Sequence, residues 1–324
     1  MARGWNLTAV LIALGICSAE AAAWHGRGHD LATRAALAAL RNDMPAFFVD
    51  DTETIAHCSL DPDAFTRPIA PAELHDQEAP EQYFDMELLG GAPVPPNRYA
   101  FIEFCAAKGL KPNKVGLLPY AVVEWTQRLT VAFAEHRRWP DNMDIRIKCL
   151  VYAGLLAHYA EDLTQPLHLT IHWDGRAKDD GNSPRSGIHN KVDALLGKLQ
   201  ADPCSVAKGW TAQPLGELLP AVLAEIARGR ALIDGVYELE AQLPGMEEPL
   251  DANGKVADFA RGRLDAAGKF LASLYLTAWL DSQKITLPPW YRQGTPVGQL
   301  AQDANAPDGK VLYHGQSRQK INAP

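Results

Sequence analysis

Past its first two dozen residues the chain has no apolar run approaching the ~20 residues of a membrane-crossing helix, which argues against stable membrane insertion. Alternating strand-type patterning is also scarce and leaves little from which to build a sheet. Cysteine is sparse: there are five, none in the CxxC spacing of a thiolate metal site. Nor is there an excess of basic charge. With 31 Lys and Arg against 39 Asp and Glu, the formal net charge is -8, which excludes the broad cationic footprint that grips duplex DNA. A site that meets one phosphate at a time is still allowed, because bound divalent metals add positive charge that a residue count omits.

What is present suffices for a packed core. Of 324 residues, 47% are hydrophobic and 22% charged, the composition of a folded chain. The first segment reads as an export signal: Arg3, a short apolar stretch from Leu7 to Cys17, then the small-x-small pattern Ala21-Ala22-Ala23. Cleavage there makes Trp24 the amino terminus and the protein secreted or periplasmic. It leaves Cys58, Cys105, Cys149 and Cys204, expected to form two structural disulfides in any of three pairings. Helical periodicity runs over about 30–42, 118–136, 146–162, 187–200, 216–241 and 257–282. Residues 61–97 are proline-rich without sustained period and predict a long excursion over the helices; 175–187 predict a polar loop. The expected organisation is a signal peptide (1–23), one all-α domain (24–287), a helical bundle with long loops, and an extended tail (288–324).

Histidine placement carries the chemistry. Six of the ten lie in two stretches: His25 and His29 near Trp24, then His158, His168, His172 and His189. In HYAEDLTQPLH, His158 and Asp162 are four apart on an expected helix and so share a face; Pro166 ends that helix, and His168 follows. In GIHNKVD, His189 and Asp193 repeat the spacing. One such pair is commonly a surface contact. Two of them flanking a third histidine suit a borderline metal such as zinc, which takes imidazole nitrogen and carboxylate oxygen.

HYAEDLTQPLH resembles the HY-x-x-D-x-x-Q-P-x-H signature of the zinc-dependent phospholipase C and single-strand-specific nuclease superfamily. WHGRGHDLATRAALAAL is similar to that family's opening, a Trp followed by His. The resemblance covers Trp24 to about Asp193 and implies an all-helical fold with two or three zinc ions. It implies that Trp24, through its freed α-amine and carbonyl, binds one zinc with His29 and Asp162, and that His168, His189 and Asp193 bind a second. His158 and Asp162 bind a third, with Asp162 bridging, alongside Asp63 and a residue at position 82. Asp61 lies two residues from Asp63 and competes for that role. The sequence has Gln82 where the family has His, a poorer zinc ligand, with His75 as a possible substitute. An α-amine, with an ordinary pKa near 7.7–8.0, gives up its proton to a metal readily at neutral pH.

The expected function is an exported zinc-dependent phosphodiesterase that hydrolyses single-stranded nucleic acid and 3'-nucleotides with metal-activated water. Asp63 and Asp162 are its catalytic carboxylates; Tyr83 stacks on a base, and Arg67 contacts phosphate. The alternatives are a phospholipase C acting on phospholipid head groups and a non-catalytic exported metal-binding protein. No protein partner is expected.

Overall fold

The computed structural model describes residues 24–40, 43–288 and 291; the expected signal peptide and nearly all of the expected tail lie outside them. The described residues form an all-α fold, with isolated bridges in place of strands. Its centre is a helical hairpin, α4 (Leu118–Arg138) and α5 (Met143–Asp162); the three shorter helices before it that matter here are named as they arise. Pro119 starts α4 in the first turn, where a missing N–H costs nothing. Asn142 caps α5 by accepting from the amides of Asp144 (2.9 Å) and Ile145 (3.3 Å).

The carboxyl-terminal half of α5 is enclosed on every side: Leu156 through Asp162 are all buried. That is why this helix shows no single apolar stripe: its last turns bury side chains on all faces, including His158, Glu161 and Asp162. Three helices enclose it. These are α1 (His25–Ala39), α2 (Thr52–Cys58) and α8 (Lys255–Asp281), each packed against α5. The buried Tyr275 hydroxyl of α8 donates to Ala153 O at 2.8 Å. α3 (Asp61–Phe65) follows α2, while α6 (Ile188–Asp193) and α7 (Leu218–Arg230) follow α5. Two apolar clusters result. The larger lies around α4, α5 and α8; the smaller joins Trp24, Leu31, Leu167, Ile188, Val192 and Leu195.

Several expectations need correction. The helix expected over 187–200 breaks at Ala194 into α6 and Leu195–Lys198, and that over 216–241 breaks into α7 and Ile233–Glu238. Apolar periodicity runs through both breaks, so spacing alone does not reveal them. The 61–97 excursion contains short helical turns, among them α3 and Ala72–Glu78. The expected disulfides are not formed: Cys58, Cys105 and Cys149 are free and buried, and Cys204 is free and exposed. Cys105 and Cys149 sit in the larger core as small apolar residues, and Cys58 packs against Gly154.

Candidate metal centre

Both His–x3–Asp pairs and two further histidines converge where the two apolar clusters meet. His29 comes from α1, and His158 and Asp162 from the last turns of α5. His168 comes from the 3-10 turn Pro166–Leu169, and His189 and Asp193 from α6. They form two groups with ligand-type atoms close enough to share an ion: His29, His158 and Asp162, and His168, His189 and Asp193.

Each imidazole is oriented from behind. His158 Nδ1 donates to Ser59 O (2.9 Å), His168 Nδ1 to Gln82 O (2.5 Å) and His189 Nδ1 to Trp173 O (3.0 Å). His29 Nδ1 meets Glu161 Oε2 at 2.6 Å. A carbonyl oxygen only accepts, so the Nδ1 atoms of His158, His168 and His189 carry the proton and their Nε2 atoms present a lone pair. The Nε2 atoms turn inward. His29 Nε2 lies 3.4 Å from Asp162 Oδ1, His158 Nε2 3.3 Å from Asp162 Oδ2, and His189 Nε2 3.1 Å from both Asp193 Oδ2 and His168 Nε2. His29 and His158 stack with ring centroids 4.2 Å apart. The two oxygens of Asp162 are divided between these two imidazoles, Oδ1 toward His29 and Oδ2 toward His158.

The residues present fit a cation. Among the described residues the buried side-chain N and O atoms without a hydrogen-bond partner include Asp63 Oδ1, His158 Nε2, both oxygens of Asp162 and Asp193 Oδ2; only His136 Nδ1 lies elsewhere. Buried polar atoms are rarely left unbonded, and a cation held at this point would satisfy all of these together. Titration directions agree. Burial, with Asp63, Asp193 and Glu161 nearby, pushes the Asp162 carboxyl well above its ordinary range. Burial lifts Asp63 to about 7, against the pull of Arg67. Burial, reinforced by His29, holds His158 well below its usual value. Asp193 is opposed by its burial, but His189, His168 and Gln165 outweigh that and hold it low.

The remaining expected site residues fall as follows. Trp24 is fully buried, and its indole donates to Glu161 O (3.0 Å), which brings it against the residue preceding Asp162. Asp63 is buried beside Asp162 and Asp193, whereas Asp61 is half-buried at the start of α3. Gln82 is buried, but its side-chain amide donates to Pro62 O (3.1 Å), and its backbone carbonyl is what serves His168. His75 lies on Ala72–Glu78, 3.3 Å from Asp76. Tyr83 directs its hydroxyl to Asn113 O (2.6 Å). Arg67 follows Asp63 by one helical turn and acts electrostatically on it. His172 accepts from the Ala177 amide (2.8 Å) and belongs to the loop.

Three positioning residues escaped the sequence reading. Glu161 holds His29 and accepts from the Thr33 hydroxyl (2.8 Å). Gln165 accepts from Leu167 N (2.5 Å) and donates to Asp193 Oδ1 (2.7 Å), which ties both groups together and leaves Oδ2 for His189. Asp174 Oδ1 accepts from Gly187 N (2.7 Å) and His189 N (3.2 Å) at the start of α6. Gln165 stood inside the quoted motif, and its place beside a proline stop was the available signal.

No family model matches the chain. It is similar to a protein of Bradyrhizobium tropiciagri named as a probable serine protease, with 28% identity over 207 residues, 54% of this chain. The matched region is 25% of that relative, so the chain spans about a quarter of its length. This finding overturns the expected function. The relative's name describes proteolysis, in conflict with hydrolysis of nucleic acid, 3'-nucleotides or phospholipid head groups, and with a non-catalytic metal-binding protein. The coarser expectation, a hydrolytic enzyme, is the part the comparison supports.

Proposed function

We propose that this chain is a hydrolase of ester or amide bonds that works through a two-site metal centre, with zinc as the resident ion. His29, His158 and Asp162 hold one ion, and His168, His189 and Asp193 the other. The observation that carries this reading is the shared orientation of the four imidazoles: each Nδ1 is tied to a neighbouring oxygen, the Nε2 atoms of His29, His158 and His189 face Asp162 or Asp193, whose inward oxygens lack hydrogen-bond partners, and His168 Nε2 faces His189 Nε2. The donor set favours zinc. The spacing is compatible with it: zinc bonds of about 2.0–2.2 Å set tetrahedral ligand atoms about 3.3–3.6 Å apart, beside 3.3 and 3.4 Å at the first site and 3.1 Å at the second. The resemblance of HYAEDLTQPLH to zinc-enzyme motifs supports this metal-holding frame and is not carried to the substrate. Export with cleavage after Ala23 would add the α-amine of Trp24 to the donors.

When bound, zinc supplies Lewis acidity toward the scissile bond and lowers the pKa of water. The protein contributes the rest. His29, His158, Asp162 and Asp193 are closed off, while His168, His189, Asp63 and Gln82 retain a sliver of exposure, so substrate approaches on the side of the second site. Asp63, with Oδ1 free of hydrogen bonds, is placed to orient the attacking water or take its proton. Ser59, whose carbonyl serves His158, donates its hydroxyl to Ala56 O (2.8 Å), which supports metal chemistry over a serine nucleophile here.

A panel of chromogenic esters and amides tests this with zinc-loaded and EDTA-treated protein. Turnover that disappears with EDTA and returns with zinc is expected. Turnover that survives EDTA and is abolished by a serine-directed fluorophosphonate overturns the reading.

A further inference from the structure

We propose that Trp173 and Arg185 form a clamp beside the second metal site for a flat, conjugated, negatively charged group of the substrate. The purpose of this clamp rests on the hydrolase reading; its geometry does not. Substrate must approach past His168 and His189. Trp173 stands at that edge, with its ring set edge-on to His189 at 5.6 Å between centroids and its carbonyl fixing His189 Nδ1. The ring is half-buried, so one part packs and another faces solvent.

Arg185 is held over this ring by the backbone. Its φ of 58° lies in the left-handed region, which non-glycine residues rarely enter. The next two residues pin it there: Ser186 N donates to Asp174 O (2.9 Å) and Gly187 N to Asp174 Oδ1 (2.7 Å). Asp174 also anchors His189 N, so one carboxylate sets both the metal ligand and the arginine. Backbone strain that the surroundings enforce in this way is characteristic of ligand clamps. The loop's other arginine near an aromatic ring, Arg176, pairs with Asp234 at 2.6 Å. Arg185 is exposed and, among the described residues, has no carboxylate partner. Its charge is therefore available to an incoming anion.

The spacing suggests what fits. The guanidinium carbon is 6.0 Å from the Trp173 ring centroid. At that distance the guanidinium lies at the outer limit of a cation–π contact with the indole, so it is lightly held and can turn onto a flat anion laid against the ring. A guanidinium on one side and an indole on the other suit a planar anion.

Calorimetric titration of the zinc-loaded chain with benzoate and cyclohexanecarboxylate tests this, since the two probes share charge and differ in flatness. Wild type should prefer benzoate. Arg185→Asn keeps a left-handed backbone accessible without the charge; it should bind benzoate about tenfold more weakly while melting no lower than wild type. Trp173→Ala should erase the preference for the flat probe. Absence of benzoate binding by wild type, equal binding of the two probes, or an unchanged affinity in Arg185→Asn overturns the proposal. A protein without metal or turnover that still selects benzoate through these residues would remove the hydrolase reading and keep the clamp. An active metalloenzyme indifferent to both substitutions would do the opposite.

Discussion

At the scale of single residues, orientation matters as much as ligand identity. Asp162 is a fully buried carboxyl crowded by Asp63, Asp193 and Glu161, which a proton or a bound cation must neutralise. Asp162→Asn is therefore expected to lower bound metal by at least one equivalent per chain by elemental analysis, yet to raise the melting temperature in EDTA. Full metal retention would remove Asp162 from its assigned place. Glu161 makes the converse case. Glu161→Ala leaves His29 Nδ1–H and the Thr33 hydroxyl without this partner in a site of zero exposure, at a cost of about 2–4 kcal/mol in urea denaturation. Glu161→Gln, which can still accept one of those bonds, should lose clearly less.

At the scale of elements, the centre depends on how closely α2 and α5 approach. A Cβ on Gly154 would lie 2.4 Å from Cys58 Cβ and 2.7 Å from Ile55 O, so only glycine permits this packing. The residue after Cys58 is Ser59, whose carbonyl fixes His158 one turn beyond Gly154. Gly154→Ala should cost about 1–3 kcal/mol through overpacking and weaken metal binding at the first site more than at the second, read by competition with a chromophoric chelator. Gly116 plays a similar part at the second site. With φ 96° and an added Cβ only 2.0 Å from Tyr83 O, it admits the bridge to Phe84, whose amide donates to His168 O (2.8 Å).

For the whole molecule, the centre joins α1, α5 and α6, segments far apart in the chain, at the seam of two apolar clusters. Metal that binds only the folded state stabilises it by mass action: at a free concentration a hundredfold above each Kd, two sites contribute about 5 kcal/mol. Chelation is then expected to lower the melting temperature by roughly 10 °C, reversibly on adding zinc. An unchanged melting curve after EDTA would show that the cluster does not bind metal in the folded protein.

Helical spacing alone placed His158 with Asp162 and His189 with Asp193 on common faces, because four residues make about one turn whatever the rest of the chain does. Proline punctuation likewise marked the end of α5 and set His168 just beyond it. The all-α class followed from apolar periodicity, which is local. What tertiary structure decided is which faces meet and which nitrogen of each imidazole points inward. Three of the groups that settle this are backbone carbonyls, those of Ser59, Gln82 and Trp173, and a carbonyl has no residue type by which a sequence could announce it. The same reasoning covers Gln82, whose main-chain carbonyl serves His168, and the cysteines, three of them buried as free thiols with Cys204 exposed, a state no count of thiols could reveal. Spacing along a chain encodes neighbours within a helix; contacts between helices depend on packing that forms only when the whole core closes.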